Sequence, residues 1–417
     1  MNSPENLNSA ISLKKISDIC IIHLGGTPKT SIPEFWGGNV MWATAKDVSN
    51  CQGRFIEKTE RNITKKSIIQ SNAKIYPKGT IIITARGTVG KIAILGKPMA
   101  FNQTCYGLEV KPPNCHMYIF YTLRNLLSEI NAHSYGTVFQ TITIRTFDEL
   151  LINIPPVNQE KAIAKILSDL DSKIELNEKM NKTLEAIAQA IFKHWFIDFE
   201  FPDEEGKPYK SSGGEMVDSE LGKVPEGWKV KYFKDIVHLN MGVSPKGTSY
   251  NTDGIGVPLL NGAADFSSGI IEPKKFTTNP VRMCKKGDLL FCIRATIGNL
   301  TYSDKAYCIG RGVAALDPVS EVYKEYSYFT LEYGLNNLIL KASGSVIKGL
   351  SKDDLLLFKI VPPTDKIISK FHLLVATIFS RIQYLTVENH SLSNIRDSLL
   401  PKLMTGKIRV PMEDEHE

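Results

Sequence analysis

The alternation of apolar and polar residues changes character once within each half of the chain. Short β-branched runs interrupted by Gly, Pro and Asn come first, a pattern typical of strands and short helices. After a Pro-Pro pair the spacing becomes helical. Residues 157–196 contain neither Pro nor Gly, so the sequence predicts one long helix there. Such a helix is about 60 Å long, too long to lie wholly on a domain of about 150 residues.

The two halves of the chain repeat one another. The stretch YPKGTIIITARGTVGKIAIL (76–95) corresponds to CKKGDLLFCIRATIGNLTYS (284–303), with Lys-Gly, Arg, Thr and Gly preserved at an offset of 208 positions. Upstream, GGTPK (25–29) corresponds to GVSPK (242–246) at an offset of 217. We therefore predict a tandem duplication of a unit about half the length of the chain.

Within the helical segments the apolar residues recur every seven positions, which indicates coiled-coil packing. The predicted packing rows are Ile163, Leu170, Asn177, Leu184 and Ile191 with Ile166 and Ile187 in the first helix, and Phe371, Ile378, Leu385, Leu392 and Leu399 with Leu374 and Ile395 in the second. We expect the two helices to pack antiparallel and to relate the halves by a pseudo-two-fold axis. A long helix lying on its own globular domain is the alternative.

Together these patterns predict an α/β (α+β) fold. Two similar mixed α/β domains are separated by two long antiparallel coiled-coil helices in a pseudo-two-fold internal repeat. Pro401 predicts that the second helix kinks or ends by about residue 400. The predicted segments are a first domain (1–155), a first long helix (156–197), a linker (198–226), a second domain (227–364), and a second long helix with the C-terminal tail (365–410).

Composition narrows the class of protein only slightly. The 417 residues carry a net charge of +6, which permits an acidic partner without requiring one. We expect neither a signal peptide nor a membrane span, because no segment has the necessary apolar run. The seven cysteines form no C-x-x-C pair, so we expect a reducing, cytoplasmic location without disulfides or a zinc site.

One segment, TARGTVGK from Thr84 to Lys91, looks like the phosphate-binding loop of a nucleotide hydrolase. That motif requires Gly and Ser or Thr where this chain has Ala85 and Ile92, and the second copy has Asn299 in place of the lysine. We find no dinucleotide fingerprint, metal-ligand spacing or catalytic triad grouping. The sequence therefore predicts no catalytic and no metal-binding residues, and a duplicated basic chain without catalysis can bind DNA in two places.

Three segments carry a family resemblance: IFKHWFIDFEFP (191–202), SELGKVPEGWKV (219–230) and LLPKLMTGKIRV (399–410). They resemble hallmark stretches of the DNA-specificity subunit of Type I restriction–modification systems, and the resemblance spans nearly the whole chain. It implies that each domain is a target-recognition domain that reads one part of a bipartite DNA sequence. It also implies that the long helices set the unread spacer between the two parts.

The same resemblance implies partners and the location of cofactors. The expected partners are double-stranded DNA, two modification (methyltransferase) subunits docked on the helices, and a restriction (endonuclease/translocase) subunit. No membrane partner is expected. No cofactor is expected in this chain, because S-adenosylmethionine, ATP and Mg²⁺ belong to the partner subunits.

Candidate DNA contacts are polar residues in loops, because recognition residues usually lie on loops of a rigid scaffold. They are Lys29, Thr44, Lys46, Asp47, Arg86, Thr88 and Gln140 in the first domain, and Lys246, Asn261, Arg294, Thr296 and Lys348 in the second. A solvated loop is the alternative for each. For the equivalent Arg86 and Arg294, the alternative is a structural arginine that pairs with a carboxylate.

An aromatic cluster, Trp195, Phe196 and Phe199, follows the first long helix. It is either a docking surface for a methyltransferase subunit or a cap that packs the helices against the neighbouring domain. Two other functions stay open for the whole chain. One is a duplicated coiled-coil scaffold that binds proteins without DNA specificity, and the other is an enzyme with an unrecognised site in a domain cleft.

Overall fold

The protein, seen here in a computed structural model, combines strands and helices in both halves of the chain, which confirms the predicted mixed α/β class and its repetition. No helix among the described residues is long and apolar enough to cross a membrane. Contacts group the chain into a first unit, Met1–Leu176 with Asn389–Glu417, and a second unit, Asn177–Glu388. The structure describes residues 11–132, 141–267, 269–344 and 348–411.

Strands of the first unit form sheets of order β2-β9-β6-β7-β4, β5-β3-β8 and β1-β10. Their bounds are β1 Ser12–Lys15, β2 Cys20–Leu24, β3 Trp36–Ala43, β4 Phe55–Ile56, β5 Arg61–Ile63, β6 Ile81–Thr84, β7 Ile92–Leu95, β8 Ala100–Phe101, β9 Cys105–Val110 and β10 Leu151–Ile154. All four residues of β6 are buried, as expected for a continuous apolar run at the centre of a sheet that is covered on both faces.

Helices of the first unit pack on these sheets. They are α1 Ile16–Ile19, α2 Ala45–Ser49, α3 Lys65–Gln70, α4 His116–Ala132 and α5 Ile144–Glu149, with a 3-10 turn at Pro33–Phe35. The long helix α6, Val157–Phe192, follows β10 and is succeeded by a π-helical turn at Lys193–Ile197. Leu167 of α6 and Leu403 near the C-terminus share one hydrophobic core with α4.

Strands of the second unit form sheets of order β14-β24-β21-β22 and β15-β19-β16-β23-β20, with the pairs β11-β12, β13-β25 and β17-β18. Their bounds are β11 Met216–Ser219, β12 Gly222–Pro225, β13 Lys231–Tyr232, β14 Val237–Met241, β15 Tyr250–Asn251, β16 Val257–Leu260, β17 Phe266–Ser267, β18 Ile270–Ile271, β19 Lys275–Thr277, β20 Met283–Cys284, β21 Leu289–Cys292, β22 Leu300–Tyr302, β23 Tyr307–Ile309, β24 Val313–Pro318 and β25 Lys359–Ile360.

Helices of the second unit are α7 Lys324–Tyr333, α8 Leu335–Lys341 and α9 Lys352–Leu356, with 3-10 turns at Phe233–Asp235, Gly247–Ser249, Ala263–Asp265 and Glu321–Tyr323. The long helix α10, Asp365–Met404, begins in the second unit and ends in the first, and α6 begins in the first and ends in the second. Pro401 lies inside the last turn of α10. The helix end that we predicted at about residue 400 is therefore slightly too early, because the turn at Pro401 continues to Met404.

The repeat holds element by element. Strands β21 and β24 begin 208 positions after β6 and β9, and α10 begins 208 positions after α6. The match between GGTPK (25–29) and GVSPK (242–246) includes a glycine that both units require for steric reasons. A Cβ on Gly25 would lie 2.1 Å from the Asn102 carbonyl oxygen, and one on the equivalent Gly242 would lie 2.2 Å from the carbonyl oxygen of Gly310. Both units therefore require glycine where the backbone passes another loop.

Helices α6 and α10 pack antiparallel, as predicted. In the first unit, Arg396 Nη1 lies 2.7 Å from Asp171 Oδ1, and Asn389 Nδ2 donates to the Ile174 carbonyl oxygen at 3.2 Å. In the second unit, Asn177 Nδ2 donates to Glu388 Oε2 at 2.6 Å. In the first unit, Asp171 precedes Ile174 along α6, whereas its partner Arg396 follows Asn389 along α10. In the second unit, Asn181 Nδ2 donates to Thr386 Oγ1 at 3.1 Å, so the partners again run in opposite directions along the two helices.

All residues of the first packing row of each helix are buried or half-buried. Ile163, Asn177, Phe371 and Leu385 are buried. The remaining members are half-buried: Leu170, Leu184, Ile191, Ile378, Leu392 and Leu399.

The second packing row is wrong by one residue in both helices. Four predicted members are exposed by 36 to 47%: Ile166, Ile187, Leu374 and Ile395. The buried residues instead include Leu167 and its equivalent Val375, which are both 0% exposed. The reason is that the core of each unit takes in residues of both helices, Leu167 and Leu403 in the first unit and Ala188 and Val375 in the second. Both interpretations of the helices therefore hold in part.

A buried polar network joins α6 to the rest of the first unit. Arg54 is 6% exposed, and its Nε and Nη2 each lie 3.0 Å from a carboxylate oxygen of Glu175. Asp171 accepts hydrogen bonds from Tyr121 (2.7 Å) and from Arg124 (3.2 Å) and pairs with Arg396. Burial, and then the Asp171 charge, raises the pKa of Tyr121, so its hydroxyl stays a donor.

The aromatic cluster after α6 belongs to the second unit's core. Phe196 is 5% exposed and lies 4.8 Å, between ring centroids, from Phe371. Trp195 and Phe199 are partly buried beside it. Burial removes Phe196 from any surface of this chain, which corrects its assignment as a docking residue and favours the capping interpretation. The docking role of Trp195 and Phe199 stays a prediction.

The adjacent residues Ile166 and Leu167 test the corrected row. Leu167→Ala is expected to lower the free energy of unfolding by about 2–5 kcal/mol because it leaves a cavity in a closed core. Ile166→Ala, the matched control, is expected to cost less than about 1 kcal/mol because the side chain is exposed. Denaturant unfolding of the full chain followed by circular dichroism measures both. Equal losses would contradict the correction.

Candidate nucleic-acid interface

Loops at the ends of strands β16, β21 and β23 meet in the second unit. The Gly310 N–H donates to the Leu260 carbonyl oxygen at 2.8 Å, and the Ile293 N–H donates to that of Gly312 at 2.9 Å. Segment 348–350 joins these loops through two further main-chain hydrogen bonds. The Leu350 N–H donates to the Ile293 carbonyl oxygen at 2.9 Å, and the Ala295 N–H donates to that of Lys348 at 3.2 Å. We call these loops, 242–247, 261–265, 294–298, 310–312 and 348–350, the second loop edge.

The second loop edge brings together the DNA-contact candidates of its unit. Lys246, Arg294, Thr296 and Lys348 are exposed, and Asn261 is half-buried. The Asn261 N–H donates to Asp265 Oδ2 at 2.7 Å, so its main chain is fixed beside the loop 310–312.

The first unit repeats this construction. The Asn102 N–H donates to the Ala43 carbonyl oxygen at 2.9 Å, and the Ala85 N–H donates to that of Thr104 at 2.8 Å. The Ile142 N–H donates in turn to the Ala85 carbonyl oxygen at 3.1 Å. Loops 25–30, 44–47, 86–90, 102–104 and 141–143 therefore form a first loop edge.

Candidates of the first loop edge fall into two groups. Lys29, Arg86 and Thr88 are exposed. Gln140 lies outside the described residues. The other three candidates, Thr44, Lys46 and Asp47, have partners within the chain.

A capping box occupies Thr44 and Asp47. Thr44 N and Oγ1 donate to Asp47 Oδ2 at 2.8 and 2.6 Å, which starts α2. Lys46 Nζ lies 2.7 Å from Glu60 Oε2, and this hydrogen bond raises the pKa of Lys46. Asp265 caps the equivalent turn of the second unit. These side chains therefore stabilise the loop itself, by capping a helix or by forming an ion pair. Their contact with DNA stays a prediction.

Arg86 and Arg294 occupy the same tight turn. The Gly90 N–H donates to the Thr84 carbonyl oxygen at 2.9 Å, and the equivalent Gly298 N–H donates to that of Cys292 at 3.1 Å. Neither arginine side chain forms a hydrogen bond or ion pair with any residue in the described part of the chain. The alternative of a structural arginine paired with a carboxylate therefore has no support, and both guanidinium groups are available to an anion.

Gln103 and Arg311 complete the two edges, and the reasoning from sequence missed them. Both are exposed at the middle of a three-residue loop, 208 positions apart. The signal was present in the repeat, since NQT (102–104) and GRG (310–312) occupy equivalent places after an apolar strand.

Cysteines near the edges have the properties of structural residues. Burial raises the pKa of Cys105 to about 12 and also raises that of Cys292. Both therefore remain thiols at neutral pH, whereas nucleophilic cysteines have a lowered pKa. The residues that the structure describes contain no group of three or more His, Cys, Asp or Glu side chains able to hold a metal ion.

Comparison with known proteins gives the family. The model of the Type I restriction modification DNA specificity domain matches twice, at residues 8–186 and 225–383. The chain is 31% identical over 420 residues to the Type I restriction enzyme MjaIX specificity subunit of Methanocaldococcus jannaschii, covering 95% of this chain and 93% of that protein. It is 26% identical to the HindI specificity subunit of Haemophilus influenzae, covering 66% and 73%.

A solved structure agrees in fold. The crystal structure of the Type I restriction–modification S subunit from M. genitalium superposes with a TM-score of 0.60 at 19% identity, over 97% of this chain and 98% of that one. On the two family matches and the sequence identity, this chain belongs to the family of Type I restriction–modification DNA specificity subunits, as its resemblance indicated.

The repeated arginine turn yields a reciprocal test of backbone strain. Gly87 has φ +79°, and its equivalent Ala295 has φ +59°, a conformation that costs an L-residue about 1–2 kcal/mol. Ala295→Gly is expected to raise the free energy of unfolding by about 1 kcal/mol, and Gly87→Ala to lower it by about 1 kcal/mol. A Cβ at position 87 meets no atom within 4 Å, so only the backbone changes. Thermal unfolding measures both, and shifts of the same sign would refute the idea.

Proposed function

We propose that the chain is a non-catalytic, sequence-specific DNA-binding subunit of a Type I restriction–modification complex, and that its two units read the two parts of a bipartite DNA target. The observation that carries the proposal is the pair of loop edges. Equivalent main-chain hydrogen bonds hold both edges, while their exposed side chains are identical at some positions and different at others. One scaffold with two sets of tips suits two half-sites of different sequence.

Preserved and divergent residues suit different parts of DNA. The sugar–phosphate backbone is the same in any half-site, so contacts to it can be preserved between copies. Lys29 and Lys246 are equivalent, and so are Arg86 and Arg294. These four cations are exposed and would position each unit on the phosphates. Divergent residues on the same edges would read bases.

The exposed row of the long helices supports partner docking. Ile166 and Ile187 in α6 are equivalent to Leu374 and Ile395 in α10, and all four are exposed. Exposed apolar residues at coiled-coil spacing are typical of surfaces that a further helix or subunit covers. We propose that one modification subunit docks on each copy of this row, and that the assembly recruits the restriction subunit.

Catalysis in this proposal belongs to the partners. The modification subunits would bind S-adenosylmethionine, and the restriction subunit would use ATP and Mg²⁺. The long helices, of 36 and 40 residues, would fix the length of the unread spacer. With catalysis in the partner subunits, this chain would determine which DNA sequence the complex recognises.

Selection from a random DNA pool tests the proposed function. The full chain, assembled with its modification subunit, is expected to enrich one split motif with a spacer of fixed length. Methylome sequencing of a host that carries the whole system should return the same motif. Absence of enrichment with or without the modification subunit would exclude DNA specificity and favour the protein scaffold. Enrichment of one uninterrupted motif would contradict bipartite recognition.

Salt-dependent binding tests the two arginines. Arg86→Ala and Arg294→Ala are each expected to weaken binding to all DNA sequences alike and to lower the slope of log affinity against log salt by about 1, because each removes one phosphate contact. Lys78→Ala and Lys286→Ala are matched controls. Both lysines are exposed at the opposite ends of β6 and β21, and their loss should leave the slope unchanged. An altered sequence preference in either arginine variant would contradict phosphate contact.

A further inference from the structure

The residues at the loop tips, positions 103 and 311, each have an exposed side chain on a main chain that hydrogen bonds hold in place on both sides. On one side of each tip, the N–H of Asn102 or Gly310 is bonded to a strand carbonyl oxygen at 2.9 or 2.8 Å. On the other side, the carbonyl oxygen of Thr104 or Gly312 accepts an N–H from the central strand segment at 2.8 or 2.9 Å. The middle residue is thus held by its neighbours' main chain while its own side chain is exposed.

Close packing fixes the second of these loops further. A Cβ on Gly312 would lie 2.0 Å from the Asn261 carbonyl oxygen, and one on Gly310 would lie 2.5 Å from Asn261 Oδ1. Backbone therefore excludes any side chain at Gly312, whereas a side chain at Gly310 would require the Asn261 amide to move. The loop therefore presents one side chain, and that side chain is a guanidinium with no hydrogen bond or ion pair to the described residues.

In the equivalent loop of the first unit, 102–104, hydrogen bonds rather than close packing fix the main chain. Asn102 Oδ1 accepts from Thr104 Oγ1 at 2.8 Å, which closes the loop without glycine. Thr27 Oγ1 donates to Gln103 Oε1. This bond orients the Gln103 amide, whose nitrogen remains a donor and whose oxygen has a second lone pair.

The chemistry at the two tips differs where the scaffold does not. An arginine recognises guanine through two parallel hydrogen bonds to O6 and N7, and a glutamine recognises adenine through N6 and N7. Positions 86 and 294, by contrast, hold arginine in both copies. The tips are therefore one pair of equivalent, exposed positions where the first edge carries a side chain suited to adenine and the second carries one suited to guanine.

We infer that Arg311 reads a guanine in the half-site of the second unit and that Gln103 reads an adenine in the half-site of the first, an assignment that rests on the proposed DNA-binding function. Each residue acts as a direct base contact in the major groove. The two half-sites then differ at the position that these tips contact.

Reciprocal substitutions test the assignment in the full chain assembled with its modification subunit. Random-pool selection with the unaltered chain defines the split motif. Arg311→Gln is expected to lose about 5- to 150-fold of the preference for guanine at one base pair and to favour adenine there, while the other half-site stays unchanged. Gln103→Arg is expected to change one adenine to guanine in the other half-site. The half that changes identifies which unit reads it.

Arg311→Lys separates base reading from phosphate binding. It keeps the charge but loses the planar fork, so we expect the guanine preference to fall while the salt slope is retained. Lys286→Ala, which removes a charge from the opposite end of β21, should leave the motif unchanged. Because these side chains are exposed, the thermal midpoint of each variant should match that of the parent chain.

The outcomes distinguish this inference from the proposed function. If the unaltered chain enriches no split motif, both are overturned. If it enriches a motif that Arg311→Gln and Gln103→Arg leave unaltered, only the base assignments are overturned. If Arg311→Gln weakens binding to all sequences alike and leaves the guanine preference unchanged, Arg311 is a phosphate contact and the inference is wrong.

Discussion

Main-chain hydrogen bonds between neighbouring loops are the constraint on which the candidate interface depends. In each unit the central strand, β6 or β21, extends its bonding into the loops beyond its end, through the N–H of Ala85 or of Ile293. Backbone donors and acceptors do not depend on the identity of the side chain. The loops can therefore keep their positions while the residues at their tips differ between the two copies.

This constraint explains why the two copies share certain residues and backbone conformations in the loops. Gly25 and Gly242 are fixed by the approach of a carbonyl oxygen, and any side chain there would separate the loops. Ala295 adopts the conformation of Gly87 despite its Cβ, which shows that the fold imposes the turn on the sequence. Gln103 and Arg311, whose side chains are exposed, face no such restriction.

Polar residues between the long helices have a different role. Asp171 pairs with Arg396 in the first unit, and Asn177 with Glu388 in the second. These pairs place charged and amide groups between the apolar residues of the helix contact. Buried polar pairs add little stability by themselves. They do specify which residues can face one another, because any slip leaves a buried group without its partner. An antiparallel pair of fixed register is what a spacer of constant length would need.

The sequence by itself determined the duplication, the mixed α/β class and the two long helices, because repeats and heptads are local patterns of residue type. It also located the arginine turn, with its residues paired across the copies. Only the tertiary structure chose between the two apolar rows of each helix. Ile166 and Leu167 are equally apolar, and the position of the core alone buries one of them. Likewise, no local pattern separates Thr44, which caps a helix, from Arg86, whose guanidinium forms no hydrogen bond or ion pair with the residues that the structure describes. That distinction depends on which groups the fold brings within hydrogen-bonding distance, and such proximity is absent from the order of the residues.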